Sequence, residues 1–518
     1  MTDTSLEESR PLLRPHGDKK ALRCAYRRAW LPLLVLALVG GTVFLNLGGK
    51  VDLAAEITPK RLSAHLEAFA KIAHANNGSR SVAGGSGYLA SVDFIYNTLK
   101  TNTDYVVSKQ RFTFPLFMKN KPGYLRFSTE SLTAFFSEEL VSGHDFEPLN
   151  KSGNGTVKSA RVQAVPGGCN SADFASFEKG SVALISREAP ALTPDEPCIY
   201  RAKISNALNA GASAVLLYTN LPTAGPVLGS NPPDAKDFPV FGITHAVALY
   251  VLQKLAIGTE KVTVSLESNV KYVDFETYNV IADTKSGNDN SIIVAGSHLD
   301  SVPAGPGIND DASGSSATLE VALALYRTGL SKNVKNKVRF AWWSAEELGL
   351  VGSTWYVDNL AKTNPEELKK IALNLNNDMI ASPNGARFIY NGREAVNPDL
   401  RGPSGRIQSI FEDYFDSKGL AHETTPFDGR SDYGEFLKFG IPAGGLFTGA
   451  EQIKTEAQWK KFGGTPGIPY DPCYHLACDT LENIQGLGME LFSDLASSMG
   501  HIVQKLASLD DLRGYLSE

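Results

Sequence analysis

Positive charge is in short supply. Fifty lysines and arginines stand against 56 aspartates and glutamates, leaving the 518-residue chain at −6. The basic residues are not gathered in one folded segment, so the footprint expected of a nucleic-acid partner is missing. No HExxH pair occurs, so no single helical stretch announces a zinc site. Histidine is rare, with nine residues, and each can be weighed by its surroundings. What is present in quantity is apolar residue: 42% of the chain, enough for a large core and two or three folded units.

Charge is absent altogether from Ala29 to Leu47, "AWLPLLVLALVGGTVFLNL". At about 1.5 Å per residue these positions span roughly the 30 Å of a bilayer core. Arg10, Arg14, Lys19, Lys20, Arg23, Arg27 and Arg28 precede the run and only Lys50 closely follows it. This predicts an uncleaved type II anchor with residues 1–28 in the cytosol. The alternative, a cleaved signal peptide, fits less well with 28 residues ahead of so long a run. Within the tail, Glu8 and the Leu12-Leu13 pair of "EESRPLL" resemble an acidic dileucine sorting signal that an adaptor would read. The expected destination is a vacuolar or endolysosomal membrane, with the cell surface or a secreted form as alternatives. Cys24 falls on the cytosolic side, as a reduced thiol or a palmitoylation site. Cys169, Cys198, Cys473 and Cys478 fall on the other, where an even set suits two disulfides. The sequons at Asn77, Asn150 and Asn154 are candidate glycosylation sites under the same topology.

Beyond the anchor, apolar positions at helical spacing in "ITPKRLSAHLEAFAKIA" and "GYLASVDFIYNTLK" predict two amphipathic helices, and "YVVSKQRFTF" a strand. Short apolar runs separated by Gly, Pro and Asn then suggest a strand-rich insert over 117–274. From Tyr278 strand and helix alternate. "YNVIADT", "SIIVAGS", "KVRFAWWS" and "IALNLNND" read as strands, and "GSSATLEVALALYRTG" and "ELGLVGSTWYVDNL" as helices. That pattern predicts an α/β fold, a mixed and mostly parallel sheet between helices, with 56–116 and 275–508 as the two parts of one catalytic domain around the insert.

In such sheets ligands gather at the carboxyl ends of strands. Read in turn, those ends deliver His298, then Glu346 and Glu347, then Asp378. In "AGSHLDSVPAGPGINDDASGS" a Gly- and Pro-rich loop can fold Asp310 back toward His298, after which "DDASGSS" reads as a helix cap. A late segment, "DPCYHLACDT", carries His475 between Cys473 and Cys478. Two imidazoles with several carboxylates suit a pair of zinc ions. The EE pair could supply a general base as well as a ligand. Spacing alone leaves a metal site and a solvated loop cluster both open.

Two resemblances narrow the choice. Gly168-Cys169, Asp173-Phe174, Gly180, the strand Val182 to Ile185, Cys198, Lys203 and Ala210-Gly211-Ala212 resemble the protease-associated (PA) domain. That likeness implies a Cys169–Cys198 pair and a cover or partner surface with no catalysis of its own. "AGSHLDSVPAGPGINDDASGSSATLEVALAL", "RFAWWSAEELGLVGSTWYV", "LNLNNDMIASPN", "DGRSDYGEF", "GIPAGGLFTGAE" and "DPCYHLACDTLENI" look like the co-catalytic zinc aminopeptidases of the aminopeptidase Y and secreted bacterial type. This resemblance implies two Zn2+ ions, with His298 and Asp378 on one, Glu347 and His475 on the other, and Asp310 bridging. It implies Glu346 as general base, Tyr474 polarising the oxyanion, Arg430 near the substrate and a Cys473–Cys478 disulfide. Asp311 and Tyr433 stand where some relatives have Asn and His, which leaves substrate preference open.

The free α-amine of a peptide would be held by Glu346 and Asp378. Asp300, two residues past His298, is expected to orient its imidazole. His65, His74, His144, His245, His422 and His501 read as structural, as do Trp342, Trp343, Asp432 and Asp479. Two other readings compete. One is a glutamate-carboxypeptidase-type exopeptidase, which would carry a long helical region after the zinc domain. The other is an inactive receptor like the transferrin receptor, whose metal site is degenerate.

Overall fold

The computed structural model describes residues 51–518 except 130–138, 189–197, 221–224, 236–237 and 259–260. The expected anchor 29–47, the tail with Glu8, Leu12 and Leu13, and Cys24 lie outside the described residues. Among the described residues, no helix is long and apolar enough to cross a membrane.

Eight strands make the first sheet: β1 (Val106–Lys119), β2 (Val270–Asp283), β3 (Asn288–His298), β4 (Asn336–Trp343), β5 (Ile371–Asn377), β6 (Phe388–Tyr390), β7 (Glu423–Thr425) and β8 (Ala443–Phe447). Their spatial order is β1-β2-β4-β3-β5-β8-β6-β7. The central four, β4, β3, β5 and β8, run parallel. β2 is antiparallel to both β1 and β4, and β6 to β8. The mixed, mostly parallel sheet expected from the alternation of elements is thus present.

Adjacent residues of the central strands feed different cores. Ile293, Ala295, Phe340 and Trp342 pack with the helices Pro59–Ala75, Gly314–Arg327 and Leu487–Ala507. Ile292, Val294, Ala341 and Trp343 pack with Tyr356 and Val357 of helix Val351–Thr363 and with Phe436. Helices therefore cover both faces, and every residue of β3 from Ser291 to His298 is buried. This is why "SIIVAGS" shows no polar alternation. Helix Pro59–Ala75 starts with Pro at its first position and buries Leu62, Leu66, Phe69 and Ala73 along one stripe.

The insert is a second sheet of seven strands, in the order Tyr124–Ser128, Thr263–Ser268, Gly155–Ala164, Val182–Ser186, Ala214–Tyr218, Val240–Ile243 and Phe146–Pro148. It rises from the first sheet on the β1/β2 ribbon, paired from Val106↔Asp283 to Lys119↔Val270. The boundaries expected at 117 and 274 fall inside this ribbon, where Phe117 pairs with Tyr272. Cys169 and Cys198 are disulfide-bonded within the insert, and Cys473 is bonded to Cys478.

One local expectation changes. Glu347 to Leu350 form a turn, and the helix begins only at Val351, because Leu350 adopts a left-handed φ of 58° that helical backbone excludes. Ahead of Gly314, residues 308–313 form an irregular turn whose Asp310–Asp311 peptide is cis. Within it, as the cap reading of "DDASGSS" expects, the Asp311 carboxylate accepts the Gly314 N–H at 2.8 Å.

Candidate active site

The carboxyl ends of the parallel strands set the rim. β3 closes on His298, β4 is followed by Glu346 and Glu347, and β5 by Asp378. Ala345, Met379 and His475 hold left-handed φ values of 56°, 54° and 60°, on or beside these side chains. Such conformations cost energy and persist where the surroundings enforce them.

The loop returning from His298 to Asp310 is braced by a residue the sequence did not single out. Arg80 is fully buried and donates to the carbonyls of Leu299 at 2.6 Å, Pro306 at 2.9 Å and Gly307 at 2.6 Å. A Cβ at Gly305 would lie 2.3 Å from the Leu476 carbonyl oxygen, so only glycine lets this loop press on the one that carries His475. Asp479, read as structural, accepts the Asn309 N–H at 2.8 Å and the Asp310 N–H at 3.0 Å.

The five predicted ligands converge. His298 Nε2 lies 3.1 Å from Asp310 Oδ1 and 3.5 Å from Asp378 Oδ1. His475 Nε2 lies 3.2 Å from Asp310 Oδ2 and 3.0 Å from Glu347 Oε2. Asp310 therefore turns one oxygen to each imidazole. The His298 ring is held from behind, its Nδ1 3.1 Å from the Asp300 carbonyl and 3.6 Å from Asp300 Oδ1. Ser431, missed from sequence, donates to Asp378 Oδ2 at 2.5 Å and accepts from the Asn376 amide at 2.8 Å.

These residues fit a metal better than they fit one another. Among the described residues, His298 Nε2 and Glu347 Oε1 are buried without a hydrogen-bond partner, although Asp310 is close enough to His298 for one. Nitrogen and oxygens that crowd without aligning suit donors directed at a common centre. Two triads have ligand atoms within 4.8 Å of one another: Asp310, Glu347 and His475, and His298, Asp311 and Asp378. Asp311 accepts the N–H groups of Gly314 and Met379 through Oδ1, leaving Oδ2 unpartnered.

Electrostatics carry the same signature. Burial pushes Glu346 and Asp311 well above the usual carboxyl range. Burial and the Asp310 charge raise Glu347 to about 7 although His475 is beside it. The reason is that Asp310 engages the same imidazole: hydrogen bonds from both histidines outweigh burial and hold Asp310 below the usual range. Burial alone would lower His475, but Glu347 and Asp310 raise it to about 10. So many buried carboxyls call for compensating positive charge, from protons or from cations.

Beside the cluster a cavity of about 320 Å³ is lined by Asp310, Glu346, Asp378, Tyr474 and His475 and by Met379, Phe388, Tyr390, Phe447 and Tyr470. Arg430 also borders it, with Nη2 3.4 Å from the Tyr474 hydroxyl and both Nη atoms donating to Glu451, at 3.0 and 3.3 Å. Glu451 was not anticipated. Four of the six histidines set aside have partners elsewhere: His65 on Glu320, His144 on Asp145, His245 on the Thr219 carbonyl and His422 on Asp416. Trp342 and Trp343 are wholly buried in the cores. Asp432 is buried, and burial raises it to about 7.

A histidine- and carboxylate-rich cluster at the carboxyl rim of an α/β sheet, open to a cavity, defines a metallohydrolase. Residues 279–499 match Peptidase family M28, and residues 157–250 match the PA domain. An aminopeptidase of Pseudomonas aeruginosa is 41% identical, with 83% of this chain and 78% of the relative aligned. Leucine aminopeptidase 2 of Arthroderma otae is 39% identical, over 84% and 81%. Among solved structures, an aminopeptidase from Aneurinibacillus sp. strain AM-1 superposes with a TM-score of 0.64 at 25% identity, over 89% of this chain and 97% of that one. A zinc aminopeptidase from Bacillus subtilis shares the fold, with a TM-score of 0.60 at 22% identity, over 88% and 96%. The chain belongs to peptidase family M28. It is a metallo-aminopeptidase.

Proposed function

We propose that the site holds two zinc ions per chain, with His298 and Asp378 on one, Glu347 and His475 on the other, and Asp310 shared. The observation that carries this reading is the division of Asp310, whose two oxygens lie 3.1 and 3.2 Å from the two imidazoles. When bound, zinc supplies Lewis acidity toward a carbonyl and a water nucleophile at neutral pH.

The chain's own residues do the rest. Glu346 lines the cavity beside the ligands, where its carboxylate can take a proton from the attacking water and pass it to the departing amine. The Tyr474 hydroxyl, beside Arg430, donates to the oxygen on which negative charge develops. Glu346 and Asp378 meet the free α-amine, which restricts cleavage to the first peptide bond. Phe388, Tyr390, Phe447 and Tyr470 line an apolar recess, and with relatives called leucine aminopeptidase this favours an apolar amino-terminal residue.

Neither competing reading gains support. The relatives are aminopeptidases, and a full ligand set with Glu346 is not a degenerate site. The topology belongs to the same proposal: a type II anchor at 29–47, a catalytic part in a vacuolar or endolysosomal lumen and adaptor recognition through Glu8, Leu12 and Leu13. Two disulfides and the exposed Asn77 and Asn154 suit an oxidising, glycosylating route.

A panel of aminoacyl reporter substrates, with and without chelator, tests the function. The reading expects release strongest for apolar residues and abolished by chelation. Equal rates across the panel, or rates indifferent to chelator, would overturn it.

A further inference from the structure

One side chain of the inserted domain, Arg187, reaches the active site. Arg187 follows the strand Val182–Ser186, and its Nη2 lies 3.6 Å from Glu451 Oε1, the oxygen that also accepts from Arg430 Nη1. The turn that carries Arg187 is firmly held. Buried Lys203 donates to the carbonyls of Ser186 at 2.6 Å and Arg187 at 3.2 Å. The Arg187 N–H donates to the Tyr218 carbonyl at 2.6 Å, and Glu188 accepts from Thr219 Oγ1 and the Asn220 N–H, each at 2.8 Å. Next to it, a Cβ at Gly225 would meet Leu476 Cδ2 at 3.6 Å, so the insert also packs against the residue after His475.

The charges in this chain are unequal. Arg430 alone would be neutralised by Glu451, and its fork would be drawn toward that carboxylate. With Arg187 on the same oxygen, two cations share one carboxylate, so the pull of Glu451 on Arg430 is divided beside the Tyr474 hydroxyl. Burial pushes the Glu451 carboxyl up, but Arg430 and then Arg187 outweigh it and hold it below the usual range, as expected of a carboxylate between two guanidinium groups.

We propose that Arg187 is a positioning residue of the peptidase site: through Glu451 it orients Arg430 against Tyr474. The inserted domain is then part of the catalytic apparatus as well as a cover. This inference rests on the placement of Arg430 and Tyr474 at the substrate face, and the variants below separate the two.

The experiment uses the full chain with its zinc, and compares Arg187→Ala, Arg187→Lys, Glu451→Gln, Arg430→Ala and the Arg187→Ala/Glu451→Gln double variant on an aminoacyl reporter and a dipeptide. Arg187→Ala is expected to lower kcat/KM about three- to ten-fold, with zinc content and thermal midpoint unchanged. Arg187→Lys should recover part of the loss, since it keeps the charge but not the fork. The double variant should be no worse than Glu451→Gln alone, because both act through one path. Wild-type kcat/KM in Arg187→Ala, losses that add in the double variant, or a loss that tracks lost zinc would overturn the proposal. If Arg187→Ala does not fold, Arg187→Lys against Glu451→Gln still decides it: equal, full activity in both overturns it. Unchanged kcat/KM in Arg430→Ala would instead remove Arg430 from the substrate face.

Discussion

Asp300 Oδ1 accepts the backbone N–H of Glu346 at 3.1 Å. Asp300 also lies behind His298, its carbonyl 3.1 Å from Nδ1, so one loop residue fixes the heading of both an imidazole and the proposed base. Asp300→Ala keeps that carbonyl but removes the acceptor of the Glu346 N–H and the carboxylate 3.6 Å from Nδ1, and is expected to weaken zinc retention about ten-fold and to lower kcat. Asp300→Asn, which keeps an acceptor for the Glu346 N–H, should lose less. Titration of the apo variants with zinc, followed by turnover, checks the order.

Asp310→Ala removes the carboxylate that faces both imidazoles. Zinc and activity should disappear together in the purified variant, by elemental analysis and reporter assay. A full complement of zinc would contradict the shared role.

The Cys473–Cys478 bond closes a small loop around His475. On the chain-entropy relation a ring this short contributes about 2 kcal/mol to global stability. Its larger effect should be on His475, held at φ 60°. Replacing both cysteines with serine is expected to shift the thermal midpoint modestly and to loosen zinc strongly, read by chelator competition. A large melting shift with unchanged zinc retention would reverse that order.

Buried Lys454 donates to the carbonyls of Gly385 at 2.8 Å and Gly463 at 2.7 Å, and burial lowers its pKa from 10.5 to about 8. The unfolded chain therefore binds more protons at this group between about pH 8 and 10.5, so its contribution to stability rises with pH across that window and is flat below it. The difference in unfolding free energy between wild type and Lys454→Met should grow in favour of wild type from pH 7.5 to pH 9.5. A difference independent of pH would contradict the burial assigned to this amine.

Much of the site is legible in the sequence because strand ends announce themselves. His298, Glu346, Glu347 and Asp378 follow β-rich runs, and the glycines and prolines before Asp310 mark a returning loop. Asp311, left without a role there, proves to bind the N–H groups on either side of the site, at Gly314 and Met379. Other parts depend on partners far away in the chain. Arg80 meets carbonyls more than 200 positions on, Ser431 meets Asp378, and Glu451 is defined by Arg430 and Arg187. No local pattern marks them. β6 and β7, three residues each, are too short to show a period. The turn from Glu347 to Leu350 reverses at Gly349 and Leu350; a lone glycine inside a helical pattern is tolerated and leucine is an ordinary helix former, so the pattern hides it.

The central claim is that Glu346 moves the proton at a two-zinc site without holding the metal. Elemental analysis and turnover of purified Glu346→Gln test it most directly. The account predicts two zinc ions per chain in wild type and variant alike, with kcat lowered by about 10² to 10⁴ in the variant. Wild-type turnover in Glu346→Gln, or loss of zinc along with activity, would contradict it.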